Sequence, residues 1–350
     1  MNLADRHFRR ILVRSTNWVG DALLTTPALS ALADNFPDAE ITVLVKPWAA
    51  PIFAHHPAVA GTMIYDRSGP HGGLLGLASL VREIRSRQFE LAVLFQNAFE
   101  AAALAFAARI PWRVGYNTDA RGFLLHPAVP LYPGDRVVHQ TQYYLRLLGR
   151  VGLKTQTRKP VFHLSPAIKE MAGLRLQALG LENSFLIGLA PGAAYGPAKQ
   201  WPPEKFAAAA DEILDQKPGG AALVFGSPGE ARVAARVRER MRHPAHDLSG
   251  RTSLDEAAAL IHRCHLFLTN DSGLMHVAAA VDAPLVAIFG STDAKTTSPA
   301  GDRAVMVSSQ VDCAPCLKPV CPKVSHRCMD LIAAGQVARA GLDLLDNLTK

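Results

Sequence analysis

The feature that most constrains this chain is an alternation, run through twice, of short apolar stretches with segments of helical spacing. Ile11-Leu12-Val13-Arg14-Ser15 reads as a buried strand, and residues 21–35 follow it with Leu24, Ala28 and Leu32 on one helical face. Residues 41–45, 62–65 and 91–95 read as further strands, and 74–87 and 139–153 as helices. The polar stretch 154–166, with Pro160 and Pro166, reads as a linker, after which the alternation restarts. Strands are expected at 185–190, 221–225, 266–269 and 285–289, and helices at 203–215, 230–241, 253–264 and 272–280. Strands that are apolar throughout and separated by helices belong to parallel sheets covered on both faces. The expectation is an α/β protein of two Rossmann-like, doubly wound parallel-sheet domains, 1–160 and 161–350. The last helix, about 330–350, is a candidate to pack back on the N-terminal domain. Such sheets bind ligands beyond the carboxyl ends of their strands, so a cleft between the two domains is the expected site.

Composition narrows the class of partner. Of 350 residues, 49% are hydrophobic and 19% charged, which supplies two cores and excludes a disordered chain. The net charge of +7 points to an anionic partner: nucleic acid, a membrane face or a phosphorylated substrate. Arg232, Arg236, Arg238, Arg240 and Arg242 lack the interleaved aromatics of a single-strand binder. They read as a solvated helix face with a weak attraction to anionic headgroups. Ile11-Leu12-Val13 is too short for a signal-peptide core. No stretch reaches the roughly 20 apolar residues of a membrane span, and the best candidate, 98–112, carries Glu100 and Arg109. A cytoplasmic protein with at most peripheral membrane contact is expected. Four of the five cysteines, Cys313, Cys316, Cys321 and Cys328, are spaced C-x2-C-x4-C-x6-C around His326. The two-pair zinc signature is absent, which leaves free thiols or a structural thiol or metal cluster.

Three turns at strand ends carry candidate chemistry. In Asn17-Trp18-Val19-Gly20-Asp21, Gly20 permits a tight turn, and Asp21 opens a helix either as a cap or as a general base for an acceptor hydroxyl. This turn is not G-x-G-x-x-G, which weighs against a dinucleotide oxidoreductase. In residues 191–202, Gly192 and Ala193 can offer backbone N–H groups to phosphate oxygens, and Lys199 adds a cation suited to a diphosphate. Trp201 is expected to pack between this loop and the next helix. In residues 269–276, Asp271, Ser272 and Gly273 sit at a helix start, worth ~0.3–1 kcal/mol to a nearby anion, with His276 one turn in. Capping by Asp271 and plain packing of His276 are the structural alternatives. Ser227 and Glu230 end another strand, where Glu230 either accepts a ribose hydroxyl or serves as a first-turn carboxylate. Ser249 to Thr252 could line an adenine pocket through backbone groups.

Trp18-Val19-Gly20-Asp21, the loop from Pro191-Gly192-Ala193 through Gly196-Pro197-Ala198-Lys199, Phe225-Gly226-Ser227, and Asn270-Asp271-Ser272-Gly273-Leu274-Met275-His276 together resemble the ADP-heptose:lipopolysaccharide heptosyltransferases of glycosyltransferase family 9, the type II branch above all. The resemblance runs in order over most of the chain. It implies a GT-B fold and an inverting, metal-independent transfer of heptose from ADP-L-glycero-D-manno-heptose to the heptosyl-Kdo-lipid A inner core. It also implies no cofactor, no nucleic acid, a monomer, and work at the cytoplasmic face of the inner membrane. Asp21 matches the catalytic base, with Trp18 and Gly20 on the acceptor side. Lys199 matches the diphosphate contact, and Asp271, Ser272, Gly273 and His276 match the donor loop. Glu230 falls at the ribose carboxylate, and Gly192, Ala193, Ser227 and Thr252 complete the implied donor site. The segment from Cys313 to Cys328 departs from the general family pattern. A sugar-nucleotide 2-epimerase, a type I or III acceptor specificity, and a nucleotide- or nucleic-acid-binding module are the competing readings.

Overall fold

The computed structural model describes residues 2–323 and 325–348, in two compact units that divide between His163 and Leu164. In the first unit the strands are β1 (Arg10–Arg14), β2 (Glu40–Val45), β3 (Gly61–Ile64), β4 (Leu91–Leu94), β5 (Trp112–Tyr116) and β6 (Ala128–Val129). They form one parallel sheet in the order β3-β2-β1-β4-β5-β6. Its helices are α1 (Val19–Leu24), α2 (Thr26–Asn35), the short α3 (Pro51–Ala54), α4 (Gly73–Ser86), α5 (Phe99–Ala107) and α6 (Gln140–Gly149). Leu12, Leu44, Ala92 and Leu94 bury against Leu80 and Ile84 of α4 and Ala102 and Ala105 of α5, while α2 packs on α6. Strand order reverses at β1, so the loops after β1 and β4 flank the switch point where such sheets hold ligands.

One helix departs from the reading of the sequence, and one apolar stretch left without an element in that reading is resolved, each for a local reason. The helix expected over 21–35 is two helices. Pro27 has no N–H to give Leu23, whose carbonyl instead accepts the Thr26 hydroxyl at 2.8 Å, while Thr25 Oγ1 bonds Ala22 at 2.7 Å. The apolar run 98–112 hides a helix, a turn and the start of a strand. Arg109 there adopts φ +62°, which ends α5 and redirects the chain into β5.

The second unit repeats the plan. Its strands are β7 (Leu186–Ala190), β8 (Ala221–Val224), β9 (Ala245–Asp247), β10 (Leu266–Asn270), β11 (Leu285–Phe289) and β12 (Ala304–Ser308), all parallel, in the order β12-β11-β10-β7-β8-β9. Its helices are α7 (Pro166–Ala178), α8 (Pro203–Leu214), α9 (Ala231–Arg240), α10 (Leu254–Arg263), α11 (Gly273–Ala280), α12 (Ala294–Thr297), α13 (Arg327–Asp330) and α14 (Ala334–Leu348). One sheet face buries Ile187, Leu189, Leu266, Leu268, Val286 and Ile288 under α8, α9 and α14, and α10 lies between α7 and α11. The last helix belongs to this core. Val337, Ala338, Gly341 and Leu344 recur at helical spacing and pack on α8, β11 and β12. Trp201 is fully buried between loop and helix, edge-on to Phe206, with its indole N–H donated to Ile332 O at 3.1 Å.

In the first unit His56 is 4% exposed and stands edge-on to His163 at 5.2 Å, and its Nδ1 accepts the Ala58 N–H at 3.2 Å. Burial first, then His163, pulls its pKa down to about 4. A depressed folded value means full stability above the unfolded value of ~6.5, lost as pH falls toward 4. Urea unfolding at pH 7 and pH 4.5 should show a loss of about 2–3 kcal/mol that His56→Gln largely removes.

Candidate functional site

Strands β7 and β10 are neighbours on either side of the second unit's switch point, with Thr269 opposite Ala190. The loops that leave them are tied by one side chain. Asn270 donates Nδ2 to Pro191 O at 2.7 Å and to Gly192 O at 3.3 Å, and its Oδ1 accepts the Trp201 N–H at 3.0 Å. It thus holds both ends of the 191–201 loop, and it is wholly buried. Reading by residue type passes over it, because an amide inside a strand end looks like any turn residue.

Lys199 rises from the short turn Pro197–Lys199 and meets Asp271 across the loops, Nζ to Oδ2 at 2.7 Å. The same oxygen accepts Thr292 Oγ1 at 2.6 Å, and the ammonium lies 5.0 Å from the Tyr195 ring. Asp271 is 4% exposed and Lys199 14% by side chain, so the pair is shielded from water. Among the described residues Asp271 is the ammonium's hydrogen-bond partner, which leaves donors for an anion. Asp271 therefore does not cap α11; Ser272 occupies the cap position, in extended conformation and without a side-chain capping bond. The first N–H groups of α11, from Gly273, carry the helix's partial positive charge. His276 is buried one turn on.

The β8 loop closes on the same edge. Glu230 ends a short turn (Pro228–Glu230) rather than lying in α9, and its Oε2 accepts Ser227 N at 2.7 Å and Ser227 Oγ at 2.8 Å. Its Oε1 rests on Gly192, where a Cβ would stand 2.1 Å away, so any other residue at 192 would displace the carboxylate. Ala193 lies beside it in the loop, buried. Gly250 donates to Gly226 O at 2.8 Å, which brings the 249–252 segment, with half-buried Thr252, against the β8 loop. Loops from β7, β8, β9 and β10 thus gather the second unit's predicted residues on one edge.

The first unit carries the other predicted group. Asp21 is the third residue of α1, in its first turn, and the cap position belongs to Trp18. Asp21 is half-buried, and its charge acts with burial, the larger cause, to hold the Tyr144 hydroxyl well above its ordinary range. Gly20 is buried and Trp18 is 57% exposed. The loop before α1 is braced from below: Arg14 donates to Asn17 Oδ1 at 2.8 Å, and Trp48 donates its indole N–H to Asn17 O, also at 2.8 Å. Burial pulls the Arg14 pKa down to about 10. Lys46 sits 3.7 Å over the Tyr65 ring, with its pKa lowered by burial and then by Arg14, and Arg67 pairs with Glu100 at 2.9 Å. A cationic group thus stands at or just beyond the carboxyl ends of β1, β2 and β3.

A family model described as glycosyltransferase family 9 (heptosyltransferase) matches residues 77–325. The chain is 32% identical over 317 residues to lipooligosaccharide heptosyltransferase 2 of Haemophilus ducreyi, covering 85% of this chain and 88% of that one. It superposes on ADP-heptose lps heptosyltransferase II of E. coli with TM-score 0.81 at 26% identity, over 97% of this chain and all of the other. On a glycosyl transferase family 9 structure from Veillonella parvula the TM-score is 0.86 at 25% identity, over 99% of both chains.

Removing one member of a shielded pair strands the other charge. Asp271→Ala should cost about 3–5 kcal/mol of stability in urea unfolding. The double variant Lys199→Ala/Asp271→Ala should cost clearly less than the sum of the two single changes. Additive losses would show that the two groups are not coupled.

Proposed function

The chain belongs to glycosyltransferase family 9, the heptosyltransferases, and from that premise we propose that it moves heptose from ADP-L-glycero-D-manno-heptose to the heptosyl-Kdo-lipid A inner core of lipopolysaccharide. The transfer inverts the anomeric centre and uses no metal at the reacting atoms. The observation that carries this reading is the Lys199–Asp271 pair beside the start of α11, an anion-holding arrangement at a sheet's switch point.

Asp21 takes the proton from the acceptor hydroxyl as its oxygen bonds the anomeric carbon. The bond from that carbon to the diphosphate breaks, and ADP leaves with its electron pair. A single displacement of this kind inverts configuration. Lys199 and the first amides of α11 meet the charge that grows on the leaving diphosphate, and fixed donors do this without reorganising. Glu230 Oε1 takes a ribose hydroxyl, while Oε2 stays committed to Ser227. The cations Arg14, Lys46 and Arg67 suit an acceptor that bears carboxylates and phosphates. Among the described residues no helix is long and apolar enough to cross a membrane. The exposed arginines of α9, Arg232, Arg236, Arg238 and Arg240, would favour an anionic surface, and we place the monomer peripherally at the cytoplasmic face of the inner membrane.

Purified protein given ADP-heptose should release ADP only when heptosyl-Kdo-lipid A is present, and leaving divalent cations out of the assay should not slow it. Conversion of a sugar nucleotide without acceptor would instead establish an epimerase. Asp21→Ala should lower kcat by about 10²–10⁴-fold while ADP affinity, read by calorimetry, stays within twofold. Lys199→Ala should weaken donor use at least tenfold in kcat/KM, the effect of losing about 1.4 kcal/mol or more of charge stabilisation. Near-normal turnover in either variant would remove the role given to that residue.

A further inference from the structure

Behind the Lys199 turn lies a cavity of about 30 Å3, room for one water-sized or ion-sized guest. Its wall contains Cys313, Cys316, Cys321 and Cys328 together with Ser291 and His326. All four cysteines are free thiols. Ser291 is 1% exposed, yet its Oγ has no hydrogen-bond partner, an orphan polar atom in the same wall.

One ligand is anchored and three are on a loop. Cys328 belongs to α13 and to the second unit's core, and Ser309 Oγ donates to its carbonyl at 2.8 Å. The loop from Cys313 to Cys321 is pinned at its middle, where Leu317 N donates to Ser291 O at 2.8 Å and Tyr195 Oη donates to Leu317 O at 2.9 Å. That loop also holds the turn before Lys199. Ala198 N donates to Pro319 O at 3.0 Å, and the His326 ring donates Nε2–H to Ala198 O at 2.9 Å. Gly196, at φ +151°, lies so near Pro319 O that a Cβ would come within 2.3 Å, so the two segments fit only with glycine there. Among the described residues no three such side chains already stand in ligating geometry, so coordination requires the Cys313–Cys321 loop to close on Cys328.

We propose that the four thiols bind one thiophilic divalent cation, Zn2+ or Fe2+, as a structural clamp on the turn that carries Lys199. Four thiolates complete a tetrahedral shell at about 2.3 Å for zinc, with no open position for substrate. Binding releases four protons and leaves a complex of net charge −2, which Lys323 and Arg327 in the same wall offset. The clamp is separate from the transfer chemistry, which needs no metal at the reacting atoms.

Elemental analysis of protein purified without chelator should find one zinc or iron per chain, and the element found separates the two ions. Cys316→Ser and Cys321→Ser should each lower that content at least tenfold, while Cys264→Ser, outside the cluster, keeps it. Should the serine variants fail to fold, metal-stripped wild-type protein titrated with Co2+ decides. Saturation at one equivalent, with thiolate-to-cobalt charge transfer in the near ultraviolet, is expected. Removing the metal should speed hydrogen exchange in residues 195–199. A Co2+ titration with no thiolate band, and four thiols that react at once with a thiol reagent in the native protein, would overturn the site.

Discussion

Everything in the second unit's candidate site depends on Asn270 satisfying three backbone groups at once. A long loop leaving a buried strand exposes carbonyls and amides that are costly to leave unpaired. Asn270 answers Pro191, Gly192 and Trp201 from the neighbouring strand, so the loop of 191–201 has both ends held. Only with those ends held does Lys199 meet Asp271 at 2.7 Å. A lysine has a flexible four-carbon stem, and its charge is useful to a ligand only when that freedom has already been removed. Trp201, wedged on Phe206 and bonded to Ile332, ties the same loop to the core that α14 completes.

The first unit solves a different problem, that of keeping charge near a strand end without a full set of partners. Arg14 is buried and gives its donors to Ser15, Leu44 and Asn17, while the Tyr65 ring lies under Lys46. Aromatic faces, backbone oxygens and the Asn17 amide serve Arg14 and Lys46, and among the described residues Glu100 forms its ion pair with Arg67 alone, which leaves the cluster positive. The same Arg14 contact shapes the turn before α1, so the position of Asp21 depends on a cation several residues earlier in the chain.

Much of the architecture was legible in the sequence because parallel strands buried on both faces are apolar throughout, and such runs stand out between helices. Family membership was equally legible, since the turns at 17–21, 191–199 and 269–276 keep their residues in order. The expected donor-loop groups do lie together on one edge. What the sequence left open was decided by features absent from a linear string: a partner far along the chain, or a break at one residue. Asp271 looks like a cap by position, yet its partner is 72 residues away. Glu230 looks like a helix carboxylate, yet it closes a turn on Ser227 and leans on Gly192. In residues 98–112 one apolar run covered two elements, because periodicity cannot mark a break made by a single positive φ at Arg109.

The sequence by itself determined the fold class, the two-unit plan and the family, because these follow from local periodicity and from short motifs whose residues are neighbours in the chain. Only the tertiary structure decided that Asn270 is the tie between loops, that Asp271, itself bonded by Thr292, holds Lys199, that α14 completes the second unit's core, and that four cysteines line one cavity behind the Lys199 turn. Each of those is a pairing across strands or loops. Hydrogen bonds and buried charges are set by distances of about 3 Å between groups far apart in the chain, and no spacing rule carries that information.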